Sequence, residues 1–302
     1  MGARPERLPR AERGTAADRA GHRPRPPGTA RRPVTRAIAA QVSLDVADQA
    51  GTRERVLAAV DATAGAADLL VLPELASSGY LFGDRAELAA LSEPLDGPFV
   101  TTLAERSAIT GCVIVAGLAE RNGERLHNSA VVLAGGELVG VHRKVHLWGT
   151  ESQVFDAGTA PVPVVPTAAG RIAPLVCYDL EFPELVQAAA LAGAQIVTAP
   201  VNWPAYQQPP QGERPLDVVR AQAMAGMYRL FVVVADRCGV ERGQDWVGGS
   251  VIIGPGGYPL AGPAPGPQEL VLTAELDPAL ADDKRLGEHN HVFDDRRPAV
   301  YG

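Results

Sequence analysis

The chain has 302 residues, 46 % of them apolar and 21 % charged, a composition that supports a sizeable water-soluble core. It lacks any run of about 18 uncharged apolar residues, which excludes a transmembrane helix. Its three cysteines (Cys112, Cys177 and Cys238) are too few for a disulfide framework, and its net charge of -7 argues against a nucleic-acid-binding body.

The charge is unevenly spread. Residues 1–36 hold ten arginines against Glu6, Glu12 and Asp18, giving +7 there and -14 for the rest. This Pro-, Gly- and Ala-rich segment has no hydrophobic period, so residues 1–35 are expected to be a disordered tail. It also has no apolar export core, so the protein is expected in the cytoplasm with its thiols reduced. The chain uses 26 arginines but only two lysines, Lys144 and Lys284. A lysine here hints at a place where an arginine fork would not serve.

Beyond the tail, strand and helix patterns alternate. A strand is expected over 37–44, a helix over 53–64, a short apolar strand over 68–72, a helix over 98–109 and a strand over 112–118. Runs 128–134 and 137–142, joined by Gly135-Gly136, read as a hairpin. A strand over 171–177 breaks into 178–182 before a helix over 183–192. Then come a strand over 195–199, a helix over 213–228 and a strand over 230–235. Runs 247–253 and 269–276 read as a second hairpin pair around 254–267, and the last 26 residues show no core pattern. Interleaved helices with hairpins imply a mixed sheet in one α/β domain spanning 36–276.

Three segments carry chemistry. In LPELASSGY, Glu74 directly follows an apolar strand, where α/β proteins gather ligands. A half-buried carboxylate there could move protons near neutral pH, or it could simply cap the next turn. In HRKVHL, Lys144 offers a compact charge for an oxyanion, or a surface ion pair. His142 and His146 beside it invite a metal, but no third ligand follows at suitable spacing. In CYDLEFPE, Cys177 sits between a strand and a helix, the placement of an exposed nucleophile whose thiolate a nearby positive charge would favour. Read alone, a cysteine is more often a small buried hydrophobe, as Cys112 and Cys238 are expected to be.

Together, Glu74, Lys144 and Cys177 fall at three strand exits, 70 and 33 residues apart. These blocks, with ESQVFDAGT, VNWP, RAQAMAGMYRLFVVVADRCG and GGSVIIGPGG, resemble the nitrilase or carbon–nitrogen hydrolase superfamily over most of residues 36–277. The resemblance implies a four-layer α-β-β-α sandwich with two mixed sheets. It implies a homodimer or larger homo-oligomer paired through the helices at 183–192 and 213–228, with the 277–302 tail at that interface. It also implies a Glu74–Lys144–Cys177 triad, no metal or organic cofactor, and a small amide as substrate. Glu151, four residues before Phe155, matches a fourth acidic position that orients Lys144 or substrate. The N–H of Tyr178 would join Lys144 around the oxyanion. Tyr80, Asn202 and Trp203 match pocket-lining positions, and 207–212 resembles a variable lid loop.

Cys177-Tyr178-Asp179 differs from the Cys-Trp-Glu common in nitrilases, which favours an amidase. N-carbamoyl amino-acid hydrolases tend to carry arginines just after the cysteine, and ω-amidases often read CYD-x-RF, whereas this sequence has Glu181 in CYDLEF. It resembles aminopentanamidase-like and stereoselective amino-amide hydrolases, and so points to an amino-acid amide or ω-amino amide. Glu181 could also merely start the following helix. Alternatives with the same triad are a nitrilase, an N-carbamoyl hydrolase or an ammonia-supplying amidase; a non-catalytic scaffold on this fold is a further one.

Overall fold

The computed structural model describes residues 34–206 and 209–301, so nearly all of the arginine-rich segment lies outside the described residues, as does part of the expected lid loop. The first strand, β1 (Thr35–Ser43), is buried along almost its whole length. Helix α1 (Gln49–Thr63) begins four residues before its expected start, because Asp48 caps it by accepting the Gly51 N–H at 3.0 Å. β2 (Leu69–Val71) follows, then α2 (Arg85–Leu91), which the sequence reading missed, capped by Asp84. Helix α3 (Pro98–Thr110) opens with proline at its first turn and ends on left-handed Gly111.

Strands β3 (Val113–Asn122), β4 (Arg125–Ala134) and β5 (Glu137–Arg143) form an antiparallel meander. The expected hairpin turns on Gly135 and Gly136, both at positive φ, which a two-residue turn of this hand requires. Next come α4 (Glu151–Val154), β6 (Val165–Thr167), β7 (Gly170–Pro174), α5 (Pro183–Leu191), β8 (Ile196–Val201), α6 (Leu216–Tyr228) and β9 (Phe231–Cys238). The short pair β10 (Val240–Glu241) and β11 (Gln244–Asp245) precedes β12 (Val251–Ile253), β13 (Pro259–Ala261), β14 (Leu270–Leu276) and a terminal α7 (Pro298–Tyr301).

Pairing divides the strands into two half-sheets, β14-β1-β2-β3-β4-β5 and β13-β12-β9-β8-β7-β6. Each has three parallel strands at its centre and antiparallel edges, so both are mixed as expected. They are stitched into one sheet by only two residue pairs of β1 and β9, Val42 with Arg237 and Ser43 with Cys238.

Side-chain alternation sorts the core into layers. Val56 and Val60 of α1 and Phe99 and Leu103 of α3 pack on Ile38, Leu70, Ile114 and Val131 of the first half-sheet. Val186 of α5 and Val218 and Ala221 of α6 pack on Val197, Val232 and Val251 of the second. Between the half-sheets lie Leu69, Val71, Val115, Ile172, Val233 and Ile252. Each such buried valine, leucine, isoleucine or phenylalanine contributes about 1.5–3 kcal/mol. Leu191, Val219 and Met227, on the helices expected to pair two copies, are about half exposed.

The second expected hairpin does not form. β12 pairs with β9 and with short β13, whereas β14 runs antiparallel to β1 from Thr35↔Leu276 to Gln41↔Leu270. A connection as long as 254–267 leaves the two runs free to choose distant partners. The C-terminal segment, patternless in sequence, packs on its own chain: Lys284 Nζ donates to the carbonyls of Tyr228 and Arg229 at the end of α6, and Phe293 stacks on Tyr228. No described helix is long and apolar enough to cross a membrane.

Candidate active site

Glu74 leaves β2 through Pro73, whose carbonyl accepts the Gly117 N–H of β3 at 3.1 Å. A Cβ on Gly117 would lie 2.2 Å from the Leu75 nitrogen and 2.5 Å from the Glu74 Cα. Glycine at 117 therefore allows the Glu74 backbone to lie directly on β3. Lys144 follows the last residue of β5, and its N–H donates to the Asn128 carbonyl of β4 at 2.8 Å. Glu151 opens α4.

These residues converge in a buried cluster. Lys144 Nζ donates to Glu74 Oε1 at 2.8 Å and to Glu151 Oε1 at 2.7 Å. Asn128 Nδ2 donates to Glu74 Oε1 at 2.7 Å, and the Trp148 N–H donates to Glu151 Oε2 at 2.7 Å. Glu74 Oε2 is buried and has no hydrogen-bond partner. One carboxylate oxygen is thus committed to holding its neighbours while the other is free to take a proton. Burial pushes the Glu74 carboxyl above its ordinary range; Lys144 opposes this and Glu151 adds to it. Burial alone would lower the Lys144 ammonium, but Glu151 and Glu74 outweigh it and hold the charge in place.

Cys177 starts a 3₁₀ turn (Cys177–Glu181), three residues past β7 rather than at a strand end. Its φ of 45° is left-handed, a conformation that costs a non-glycine residue of order 1–3 kcal/mol and is typical of a nucleophile presented on a sharp turn. Burial pushes its thiol well up, Glu74 pushes it further, and Lys144 and the Asn202 N–H pull it back. The positive charge expected to favour a thiolate is present as Lys144, but burial and the two carboxylates outweigh it.

A cleft of about 240 Å³ opens at Cys177. Tyr178, Glu181, Asn202 and Trp203, all singled out in the sequence, line it. Asn202 Nδ2 donates to the Glu74 carbonyl at 2.9 Å, and the Trp203 N–H is fixed by buried Asp236 at 3.0 Å. Tyr178 packs edge-on against Trp148, with ring centroids 4.8 Å apart. Glu181 is not a free carboxylate, because Arg220 of α6 pairs with it at 3.0 Å and with Asp217 at 3.2 Å. Tyr80 is not among the residues lining this cleft. It reaches the cluster beside Glu151, its ring edge-on to Trp246 with centroids 5.4 Å apart. His142 and His146 face Asp179 instead of a metal, and among the described residues no metal-binding cluster of His, Cys, Asp or Glu is present.

Sequence reasoning missed Asn128, Asp217 and Arg220. The only local signal for Asn128 is a polar run, His127-Asn128-Ser129, ahead of the apolar stretch 130–134 of the same strand; all three residues are buried. Replacing Asn128 with Leu removes a donor that favours the Glu74 carboxylate, so the acid limb of kcat/KM should move to higher pH. Activity at neutral pH should fall about tenfold or more, the scale of a hydrogen bond to a charged group. A pH–rate profile checks this, and an unmoved limb would show that the contact does not tune the base.

A sequence model of the carbon–nitrogen hydrolase family matches residues 36–285, and the chain belongs to that family. It is 34 % identical over 243 residues to the nitrilase of Pyrococcus abyssi, covering 80 % of this chain and 88 % of that one. It is 32 % identical over 267 residues to an (R)-stereoselective amidase from Pseudomonas sp., covering 84 % and 94 %. Among solved structures, a mutant of the amidase from Nesterenkonia sp. AN1 carries the acetamide moiety of fluoroacetamide on its active-site cysteine. That structure superposes with a TM-score of 0.69 at 26 % identity, covering 88 % of this chain and 95 % of that one. The mixed α/β fold and the family resemblance read from the sequence are borne out.

Proposed function

We propose that the protein hydrolyses the C–N bond of a small carboxamide through a thioester on Cys177. The observation that carries this reading is the placement of Lys144 between two buried carboxylates, one with an unpartnered oxygen, in a site whose cysteine holds a left-handed turn at the cleft. Cys177 Sγ attacks the amide carbon while its proton passes to Glu74 Oε2. Lys144 and the Tyr178 N–H stabilise the tetrahedral oxyanion. Collapse breaks the C–N bond, and Glu74 gives its proton to the departing nitrogen, which leaves as ammonia. Water then attacks the thioester, losing a proton to Glu74. The acid departs and that proton returns to the sulfur. Glu151 keeps Lys144 charged and oriented throughout.

The walls of the cleft bear on the substrate. Trp148, Tyr178, Trp203 and Tyr206 contribute aromatic surface, while Glu181 and Asp217 share the single guanidinium of Arg220. The local charge therefore sums to a formal -1, favouring a neutral or cationic acyl group such as an amino-acid amide or ω-amino amide. Ring faces add to cation binding.

Ammonia release should be measured from amino amides, matched neutral amides, dicarboxylic monoamides, N-carbamoyl acids and nitriles. Amino amides are expected to be favoured. Glu181→Gln should reduce their preference over matched neutral amides by roughly two- to fivefold, as loss of a partly exposed charge contact would. An unchanged ratio defeats the amino-amide assignment. Turnover confined to nitriles or carbamoyl acids would move the chemistry to those substrates.

A further inference from the structure

The histidines flanking Lys144 take no part in these steps, yet both are tied to one carboxylate. Asp179 lies two residues after Cys177, is fully buried, and accepts four hydrogen bonds from the segment that carries Lys144. His142 Nε2 donates to Oδ2 at 2.8 Å. At Oδ1 the donors are His146 Nδ1 at 2.8 Å, the His146 N–H at 3.0 Å and the Val145 N–H at 3.2 Å. A carboxylate only accepts, so each imidazole must present an N–H to it. These bonds hold the Asp179 carboxyl below its usual range despite burial.

The geometry has a mechanical meaning. β5, which leads to Lys144, belongs to one half-sheet, and the turn of Cys177 belongs to the other. The Asp179 carboxylate crosses between them on both sides of Lys144. His146 is further held by stacking on Phe182, with ring centroids 3.5 Å apart and planes 8° from parallel. We propose that Asp179, His142 and His146 form a brace that sets the separation of the Lys144 ammonium and the Cys177 sulfur. These are positioning residues, and the inference rests on the amidase reading above.

The His146 side chain is 28 % exposed, so it can be varied with little risk to folding. His146→Phe keeps the ring stack and removes the donor. His146→Asn removes the stack and keeps a donor in the place of Nδ1–H. Asp179→Asn tests the acceptor. Each variant is assayed for kcat and KM on the best amide and for the rate at which iodoacetamide alkylates Cys177.

His146→Phe and Asp179→Asn should lose about 100-fold in kcat, the scale of a 1 Å misplacement, with KM changed by less than about threefold. Their alkylation should slow because Lys144 no longer sits where it favours the thiolate. His146→Asn should rescue both readouts to within about fivefold of the unmodified protein. Full activity in His146→Phe, or equal loss in the two His146 variants, overturns the brace. If Asp179→Asn does not fold, the His146 pair decides. If the unmodified protein hydrolyses no amide, the amidase reading fails; the brace is then judged on alkylation alone, where rescue by Asn but not Phe supports it and equal rates reject it.

Discussion

Cys177→Ala is expected to leave no more than about one part in 10⁵ of amide turnover, since removing the nucleophile of a covalent mechanism removes the route itself. The other thiols cannot replace it. Burial raises both Cys112 and Cys238 to about 12, and both are core residues with no exposed surface. Ammonia release under substrate saturation measures the loss. Mass spectrometry after treatment with a haloacetamide should show one adduct, on Cys177, in the unmodified protein and none in the variant. Residual turnover above about 1 %, far beyond what oxyanion stabilisation and binding alone support, would mean that another group attacks the carbonyl.

Glu74→Gln should cost about 10³-fold in kcat, within the range for losing a general acid–base. The neutral amide can still accept from Lys144 and Asn128 through one oxygen, so the cluster need not come apart. The unpartnered Oε2, however, becomes an N–H₂ that can neither take the thiol proton nor hand one to the leaving nitrogen. After burial, the Glu74 charge is the strongest influence raising the Cys177 thiol, so its removal should lower that pKa. Turnover and thiol reactivity should therefore separate, with hydrolysis collapsing while alkylation by a haloacetamide is preserved or quickened near neutral pH. On the proposed mechanism Glu74 in the unmodified protein takes up the thiol proton as a carboxylate whose pKa is raised, so activity should be lost as pH falls through a value above the ordinary carboxylate range. A parallel fall of both rates in Glu74→Gln would assign Glu74 a purely structural part.

Much of this site was legible because each of its main groups sits where local pattern changes. Glu74 follows a wholly apolar strand, Lys144 ends a hairpin and Cys177 precedes a helix, and those transitions are visible residue by residue. The branch-specific motif CYDLEFPE also located Glu181, but not its partner. Arg220 lies on α6, 39 residues away in sequence, and nothing in its helix marks which side meets the cleft. Asn128 was hidden for a similar reason, since strand alternation says that a residue is inside without saying which carboxylate it will meet. The pairing of β14 with β1 joins residues more than 200 positions apart, a contact set by the packing of the whole domain rather than by any local signal. Asp179 was read as part of the nucleophile motif, whereas its role depends on the histidines that the turn happens to face.

Glu74, Asn128, Lys144 and Glu151 come from one half-sheet and its connections, while Cys177, Asn202 and Trp203 come from the other. Between those halves the strand ladders are joined by just two residue pairs, and the remainder of the joint is side-chain hydrogen bonds such as those of Asp179 and Asn202 and apolar packing around residues such as Val71, Ile172 and Val233. On the proposed mechanism the enzyme is therefore indivisible in a particular sense: base and ammonium come from one half, nucleophile from the other, and neither half has a chemistry of its own to preserve. Selection acting on turnover then also acts on the fit of apolar residues buried far from any substrate. A lineage can vary its cleft freely only so long as the two halves continue to meet in the same register.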